Sequence, residues 1–489
     1  MNAVPLVVDP EPEPLGAKVR RAVIWRSGSQ IVAQAVQWAA TFLVIRLLSP
    51  SDYGLFAMAQ VVLTFLAMVN GYGLASGLIR ADHVNQHQIR QMFGMLIVIN
   101  GGLAIVQIAI APAVAAYYRQ PLIADILRVQ AILYLATPFL ALPQALLSRT
   151  LDFRNQARAN ICASVASASV AATGAMAGWG VWTLVAAPIA LFGVRAVLLT
   201  WSIGGPVWPS FNFRGSGALM RFGGMMAAGQ FVWFLQSQAD VVIAGRAFSA
   251  HDLGIYTTAL FLAQIFVAKV VPPLNEVAFS AYARVQHDQA ARAAAFVRSV
   301  RLVMLVALPF YLGLATTAEP LVATVLGPHW VEAAPVVRII ACAMPCMTLL
   351  VLYTPACDAG GRPGIGVANG AIGAALLTTG FLIGLPWGPQ GLALAWVAAY
   401  PVYLVIASAR ALPVIGAKPK QLAKAVAPAV LAALVMALVV TLVDCTLPVM
   451  TDAPRLAVLV STGGVAYAGW LLLFARTTVR EAVATVRGR

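Results

Sequence analysis

Two stretches of this chain are versions of one sequence. Residues 46–56 read Arg-Leu-Leu-Ser-Pro-Ser-Asp-Tyr-Gly-Leu-Phe, and residues 246–256 read Arg-Ala-Phe-Ser-Ala-His-Asp-Leu-Gly-Ile-Tyr. Arg, Ser, Asp and Gly coincide without a gap, and each stretch joins one long apolar segment to the next. Further out, Gln30 corresponds to Gln230. A repeat on this scale in an apolar chain indicates a membrane protein built from two related lobes, an arrangement typical of transporters.

The composition places the chain in a membrane. Hydrophobic residues make up 61% of the 489 and charged residues only 10%, with a mean hydropathy of +0.85. A soluble domain has about 25% charged residues, so a water-soluble monomer is excluded. The predicted fold class is an all-α polytopic membrane protein. Its fourteen predicted spans, each long enough to cross a bilayer, are 25–47, 53–75, 92–116, 124–147, 157–178, 180–203, 219–246, 253–275, 298–318, 335–357, 364–385, 389–410, 421–443 and 456–476.

The net charge of +15 reflects topology rather than nucleic-acid binding. If the N-terminus is cytoplasmic, most of the 32 Lys and Arg residues fall in cytoplasmic connections. This distribution follows the positive-inside rule and predicts that both termini are cytoplasmic. Residues 1–24 lack the architecture of a signal peptide and are expected to be a disordered, uncleaved tail. Residues 477–489 are the predicted cytoplasmic C-terminus.

Six predicted spans separate the two copies of the repeat, so both copies have the same orientation in the membrane. We therefore predict an N-lobe at 25–203 and a C-lobe at 219–410, related by an axis along the membrane normal around a central cavity. The last two predicted helices, within 421–476, have no counterpart and are expected to be additions to this core.

The first helix of each predicted lobe carries glutamines. Gln30, Gln34 and Gln37 follow an i, i+4, i+7 spacing, which places them on one helix face. Gln230 and Gln236 lie in the corresponding helix of the second lobe. We expect Gln34, Gln37, Gln230 and Gln236 to line a polar lumen between the lobes.

Four cations lie within or at the ends of predicted spans: Lys269, Arg195, Arg246 and Arg46. Ionisable residues are costly in a bilayer and are retained mainly where they face a polar lumen or a partner. A cationic lumen would suit an anionic substrate such as a phosphate or diphosphate. Two alternatives stay open. Arg46 and Arg246 can instead cap their helices or pair with the aspartate of the following turn, and Lys269 can extend to the membrane surface.

Two acids are candidates for coupling to a proton or sodium ion. Asp240 is the one clearly intramembrane acid, and Glu276 follows the Pro272-Pro273 break in the eighth span. Asp240 can equally be the salt-bridge partner of an Arg or Lys. The five Cys and the scattered His residues match no metal-ligand spacing, so no metal or other cofactor is expected.

The assembled motifs resemble those of the Wzx-type polysaccharide flippases, a branch of the multidrug/oligosaccharidyl-lipid/polysaccharide exporter superfamily. The resemblance covers roughly residues 20–410 and rests on the motifs at 48–54, 145–154, 178–185 and 239–256. It implies twelve core helices in two lobes, often with two added helices, and a V-shaped cavity. It also implies transfer of undecaprenyl-diphosphate-linked oligosaccharide across the bacterial inner membrane, among membrane lipids and alongside polymerase and chain-length regulator proteins.

Three other functions are alternatives to this one. A lipid II flippase is chemically similar, and a cation-coupled multidrug exporter of the same superfamily would favour a more acidic cavity. A membrane glycosyltransferase or polymerase would need convergent acids or bases with access to water. The longest predicted external segment, about 318–335, holds only Glu319, His329 and Glu332, so a transporter rather than an enzyme is predicted.

Overall fold

The chain is mostly helical in the part that the computed structural model describes, which is residues 15–68, 85–150, 153–212, 234–285, 287–476 and 480. Two short 3-10 helices lie at Pro328–Trp330 and Leu385–Trp387. The α-helices are α1 (Leu15–Leu47), α2 (Pro50–Ala67), α3 (Gln86–Tyr118), α4 (Leu122–Gln130), α5 (Ile132–Ala136), α6 (Pro138–Arg149), α7 (Phe153–Met176), α8 (Val181–Ser202), α9 (234–247), α10 (Ala250–Lys269), α11 (Val271–Arg284), α12 (Gln289–Thr316), α13 (Ala318–Val325), α14 (Ala333–Val351), α15 (Tyr353–Ala359), α16 (Gly364–Gly384), α17 (Gly388–Ile415), α18 (Pro419–Thr446) and α19 (Asp452–Phe474).

Eleven helical stretches of the described chain are long and apolar enough to cross a membrane. The predicted fold class, an all-α polytopic membrane protein, is confirmed. The count of fourteen spans stays a prediction, because one of the eleven stretches contains both α16 and α17 and the described parts of α2 and α9 are not among them.

Three predicted spans are broken rather than continuous. The span at 253–275 divides into α10 and α11, and the span at 335–357 divides into α14 and α15. Proline explains both breaks, since Pro272 and Pro355 have no N–H to donate to the preceding turn. The span at 124–147 is broken twice, and its second break precedes Pro138. No proline explains the first of its breaks, at Ala131.

The chain forms two compact units that meet in sequence between Phe234 and Leu235. In the first unit, α7 packs against both α1 and α8. In the second unit, α17 packs against α14 and α16, and α18 packs against α12 and α19. The predicted additional helices therefore belong to the second unit, where the Tyr467 hydroxyl donates a 2.7 Å hydrogen bond to the Leu305 carbonyl. The predicted lobe boundaries stay a prediction.

The repeated sequence builds the same helix start in both units. Ser49 and Ser249 are the N-cap residues of α2 and α10, and each side-chain oxygen accepts a hydrogen bond from the backbone N–H of the aspartate three residues later. Each serine hydroxyl also donates to that aspartate, to Asp52 at 2.6 Å and to Asp252 at 2.7 Å. The shared Ser and Asp therefore satisfy backbone groups that the first helical turn leaves without partners.

A second pair of matching turns precedes α8 and α17. Each begins with Trp-Gly, at Trp179-Gly180 and Trp387-Gly388. Gly180 has φ of 54° and ψ of −132°, and Gly388 has φ of 67° and ψ of −154°. Residues with a Cβ atom avoid this conformation, so glycine is required at both turns. These turns lie 208 residues apart in sequence and extend the relation between the two halves beyond the first repeat.

Candidate functional site

Asp240 is the buried acid of the second unit. It lies on α9, its exposed fraction is 2%, and among the described residues it is the one acidic side chain in the buried class. A carboxylate inside an apolar helical bundle is costly unless hydrogen bonds or a counter-charge compensate for the lost water. The groups around Asp240 therefore determine whether the carboxylate is compensated by hydrogen bonds or by a counter-charge.

Hydrogen-bond donors surround both oxygens of the Asp240 carboxylate. The Tyr256 hydroxyl on α10 donates to Oδ2 at 2.8 Å, and the Val241 backbone N–H donates to Oδ1 at 2.8 Å. The hydroxyl oxygen of Tyr256 in turn accepts a 2.8 Å hydrogen bond from Trp396 Nε1 on α17. All three side chains are buried. This chain of hydrogen bonds fixes the orientation of the carboxylate between three helices.

Aromatic side chains of α17 line the same region. Trp396 and Tyr400 are stacked with ring centroids 5.2 Å apart, and the rings of Tyr400 and Tyr403 are 6.1 Å apart. Gln236, one turn before Asp240 on α9, hydrogen-bonds to Tyr403. Gly373 on α16 admits the Tyr403 ring, since a Cβ atom there would lie 2.7 Å from it. The site thus consists of the buried Asp240 carboxylate and the aromatic rings of Trp396, Tyr400 and Tyr403.

The salt-bridge alternative for Asp240 has no support in the described part of the second unit. None of the described Lys or Arg side chains forms an ion pair with this carboxylate, whose hydrogen-bond donors are the Tyr256 hydroxyl and the backbone N–H groups of Val241 and of Asp240 itself. The arrangement can accept a proton or a small cation from outside the site. Its use as an ion-coupling site stays a prediction.

The first unit has no counterpart of this acid. The repeat pairs residue 240 with Ala40 and Tyr256 with Phe56, and the Trp-Gly turns pair Trp396 with Pro188. None of these three side chains can ionise or hydrogen-bond. The acid site is a property of the second unit.

The other predicted charged residues of the second unit are exposed, whereas Asp240 is buried. Lys269 is exposed at the last residue of α10, Glu276 is exposed on α11, and Arg246 is exposed near the end of α9. Gln236 shares a face with Asp240, as its spacing predicts. Gln230 lies outside the described residues.

The predicted residues of the first unit lie on two helices, α1 and α8. Arg195 on α8 is half-buried, and its Nη2 donates to Gln144 Oε1 at 3.3 Å. Gln34 and Gln37 are half-buried on α1, and Arg46 is exposed at its end. Their roles in binding substrate stay predictions.

Sequence reasoning missed the partners of Asp240. Tyr256 was visible as the counterpart of Phe56, and its extra hydroxyl marks a polar group in an otherwise apolar helix. Trp396, Tyr400 and Tyr403 follow an i, i+4, i+7 spacing that places them on one face of α17. The same spacing is common in ordinary helix packing, so it did not single them out.

Comparison with known proteins identifies the family. The sequence profile of the family described as "Polysaccharide biosynthesis protein" matches residues 43–335, which is more than half of the chain and includes both copies of the repeat. The chain belongs to this polysaccharide biosynthesis family. The resemblance to polysaccharide flippases drawn from the sequence motifs is confirmed.

Curated relatives carry names from polysaccharide pathways. The succinoglycan biosynthesis transport protein ExoT of Rhizobium meliloti (strain 1021) is 27% identical over 68% of this chain and 68% of its own length. The teichuronic acid biosynthesis protein TuaB of Bacillus subtilis (strain 168) is 23% identical over 65% of this chain and 66% of its own. The lipopolysaccharide biosynthesis protein WzxC of Escherichia coli (strain K12) is 21% identical over 65% of each chain.

Solved structures share the fold of this family member. The lipid II flippase MurJ in an inward closed conformation has a TM-score of 0.75, with 11% identity over 93% of this chain and all of that chain. An inward-facing multidrug resistance MATE transporter has a TM-score of 0.62, with 12% identity over 81% of this chain and 98% of that chain. At these identities the likeness concerns the fold alone.

Proposed function

We propose that this protein is a flippase that moves undecaprenyl-diphosphate-linked oligosaccharide repeat units across the bacterial inner membrane. The polymer would be an exopolysaccharide, a capsule or an O-antigen. The observation that carries the proposal is the family match over residues 43–335, which spans both copies of the repeat. The printed names of ExoT, TuaB and WzxC, which refer to succinoglycan, teichuronic acid and lipopolysaccharide, support the same class of substrate.

The mechanism we propose is alternating access between two lobes. A lipid-linked oligosaccharide carries a diphosphate with negative charge, and cations in a low-dielectric cleft attract such a group strongly. Lys269, Arg195, Arg246 and Arg46 are the proposed cationic contacts. Gln34, Gln37, Gln230 and Gln236 are the proposed polar lining, because amide groups can donate to and accept from sugar hydroxyls.

The energy source we propose is a proton or sodium gradient acting on Asp240. Loading an ion onto a buried carboxylate removes an uncompensated charge from the membrane interior, so the loaded and empty forms of the second unit differ in energy. Such a difference can bias an equilibrium between two conformations. Glu276 is a second candidate, although its exposed position on α11 gives it a weaker reason to bind an ion than Asp240 has.

The proposed location is the bacterial inner membrane, with both termini in the cytoplasm. Charge placement supports this orientation. The proposed neighbours are membrane lipids together with a polymerase and a chain-length regulator of the same pathway.

Gene replacement tests the proposal. Deleting the gene in its host should abolish the surface polymer and leave the lipid-linked repeat unit accumulated on the cytoplasmic side. Expression of the wild-type chain should restore the polymer. If the deletion strain makes normal polymer and accumulates no intermediate, the proposed function is wrong.

A further inference from the structure

We propose that the first unit binds ordered water at the break between α4 and α5, in a site formed by Gln107, Gln130 and Tyr134. All three residues lie within helical stretches that are long and apolar enough to cross a membrane. Such a site would exist whatever substrate the protein moves, because it lies between helices of a single unit.

Gln107 on α3 contacts the chain at this break. Its Nε2 donates a 2.7 Å hydrogen bond to the Leu127 carbonyl on α4, and the same carbonyl accepts the Ala131 backbone N–H at 3.1 Å. A polar side chain inserted into the hydrogen-bond ladder of a helix is a recognised cause of a kink. The Gln107 amide therefore accounts for a break that no proline explains.

Gln130 and Tyr134 lie on the same side of the broken helix as this contact. They follow Leu127 at i+3 and i+7, spacings that place residues on one helix face. Both α4 and α5 pack against α3. The exposed fractions of Gln107, Gln130 and Tyr134 are 0%, 1% and 4%. The break is thus lined by polar side chains that are shielded from bulk water.

Four polar atoms of this group have no protein partner. Gln107 Oε1, both polar amide atoms of Gln130 and the Tyr134 hydroxyl are buried and form no hydrogen bond with the part of the chain that the structure describes. An unpaired polar group in an apolar interior is costly, and nearly all such groups are paired with protein or with ordered water. The four atoms therefore indicate a bound polar ligand.

The chemistry of these atoms identifies the ligand as water. The two Oε1 atoms accept hydrogen bonds, Gln130 Nε2 donates them, and the Tyr134 hydroxyl does both. Water also donates and accepts, and a buried water typically makes about three hydrogen bonds. A cation would attract the oxygens but leave the Gln130 N–H donors without an acceptor. Ordered water is also one of the means by which broken membrane helices satisfy their polar groups.

Replacing Gln130 by methionine separates a hydrated site from an unpartnered one. Methionine is similar in length and lacks the amide. If water bridges Gln130 to its neighbours, Gln130→Met should lower the melting temperature of the purified full-length protein in lipid nanodiscs. If the Gln130 amide has no partner, the change should leave the melting temperature unchanged or raise it, and that result would overturn the proposal. Gln86→Met, exposed in the first turn of α3, is the matched control and should melt like wild type.

Radiolytic labelling in water enriched in heavy oxygen detects the bound water itself. Hydroxyl radicals formed from a bound water oxidise adjacent side chains, so wild-type Tyr134 should gain heavy oxygen although it is buried. Tyr311 is the internal reference, because it is buried and its hydroxyl accepts a hydrogen bond from Thr348 Oγ1 at 3.5 Å. It should gain little label. Absence of label at Tyr134 in the folded wild-type protein would overturn the proposal even if Gln130→Met fails to fold.

Cation replacement distinguishes water from an ion at the same site. At constant ionic strength, replacing N-methylglucamine by Na⁺ or K⁺ should change the melting temperatures of wild type and Gln130→Met by the same amount. A cation-dependent rise in wild type that Gln130→Met abolishes would overturn the proposal, because it would show that an ion occupies the break.

Discussion

Ser49 and Ser249 are N-cap residues at equivalent positions of the repeat, one in each unit of the chain. Each caps the helix that follows it by accepting the backbone N–H of Asp52 or Asp252, at 3.3 and 3.1 Å respectively. The same serine cap therefore occurs twice, 200 residues apart in sequence, and in α2 the Asp52 carboxylate also accepts the Ser49 backbone N–H at 3.0 Å. The caps are also simple to remove one at a time.

Ser249→Ala should destabilise the second unit by about 1 kcal/mol, the typical cost of losing a serine N-cap. Ser49→Ala should cost a similar amount, since its side-chain oxygen also accepts the N–H of the aspartate three residues later. The melting temperature of each purified variant measures the effect. Ser461→Ala on the exposed face of α19 is the control and should change little. If both cap variants melt like wild type, the caps contribute no stability.

Tyr256→Phe should lower both stability and polymer export. The change leaves the Asp240 Oδ2 atom and the Trp396 N–H without their partner, at roughly 1–3 kcal/mol for each buried unsatisfied group. Export should fall further than stability explains, because the orientation of the carboxylate is lost.

Tyr467→Phe provides the comparison for that variant. It also removes a hydroxyl that donates within the second unit, here from α19 to the Leu305 carbonyl on α12, but Tyr467 does not hydrogen-bond to the Asp240 carboxylate. Loss of stability with normal export is expected. Equal loss of export in the two variants would mean that Tyr256 has only a structural role.

The sequence predicted the class of fold and two members of the candidate site, Asp240 and Gln236. Hydrophobic segments and charge placement follow directly from the cost of burying polar groups in lipid, so they are visible without a structure. Asp240 stood out for the same reason. Its partner Trp396 lies 140 residues beyond Tyr256 in sequence, and their contact depends on how α10 packs against α17, which no local pattern encodes.

Some of the helix breaks within the predicted spans can be explained from the sequence and others cannot. Pro272 and Pro355 explain two of them by removing an N–H donor. The break at Ala131 has no proline four residues later, so the loss of an N–H donor does not explain it. Sequence reasoning therefore gave continuous spans where the chain bends.

Gly180→Ala and Gly388→Ala should each destabilise their unit by at least about 1–2 kcal/mol, because a Cβ atom is strained at positive φ. Gly180 has an additional reason, since its Cβ would lie 2.9 Å from Asp52 Oδ1. Thermal melting measures both. Gly101→Ala in the middle of α3, with nothing within 4 Å of its Cβ position, should be neutral or stabilising. Equal melting temperatures for the three Gly→Ala variants would contradict the positive-φ geometry of the two turns.

Lys269→Ala should reduce polymer export by roughly tenfold or more, the factor expected when a hydrogen bond to a charged group is lost. Lys269→Arg should retain part of the activity because the charge survives. Surface polymer per cell, normalised to the amount of protein in the membrane, is the measurement. Lys420→Ala at the exposed start of α18 is the matched control. Normal export by Lys269→Ala would show that this lysine only extends to the membrane surface.

Reconstitution tests the central claim most directly. Proteoliposomes containing the purified chain and undecaprenyl-diphosphate-linked oligosaccharide are treated with a glycosidase that cannot cross the membrane, and the digested fraction is followed over time. Without protein, digestion should stop once the outer leaflet is exhausted. With wild-type protein it should proceed to the inner-leaflet pool, and Asp240→Asn should slow that second phase when a proton gradient drives it. Digestion that stops at the outer leaflet in the presence of folded wild-type protein and a proton gradient would contradict the account.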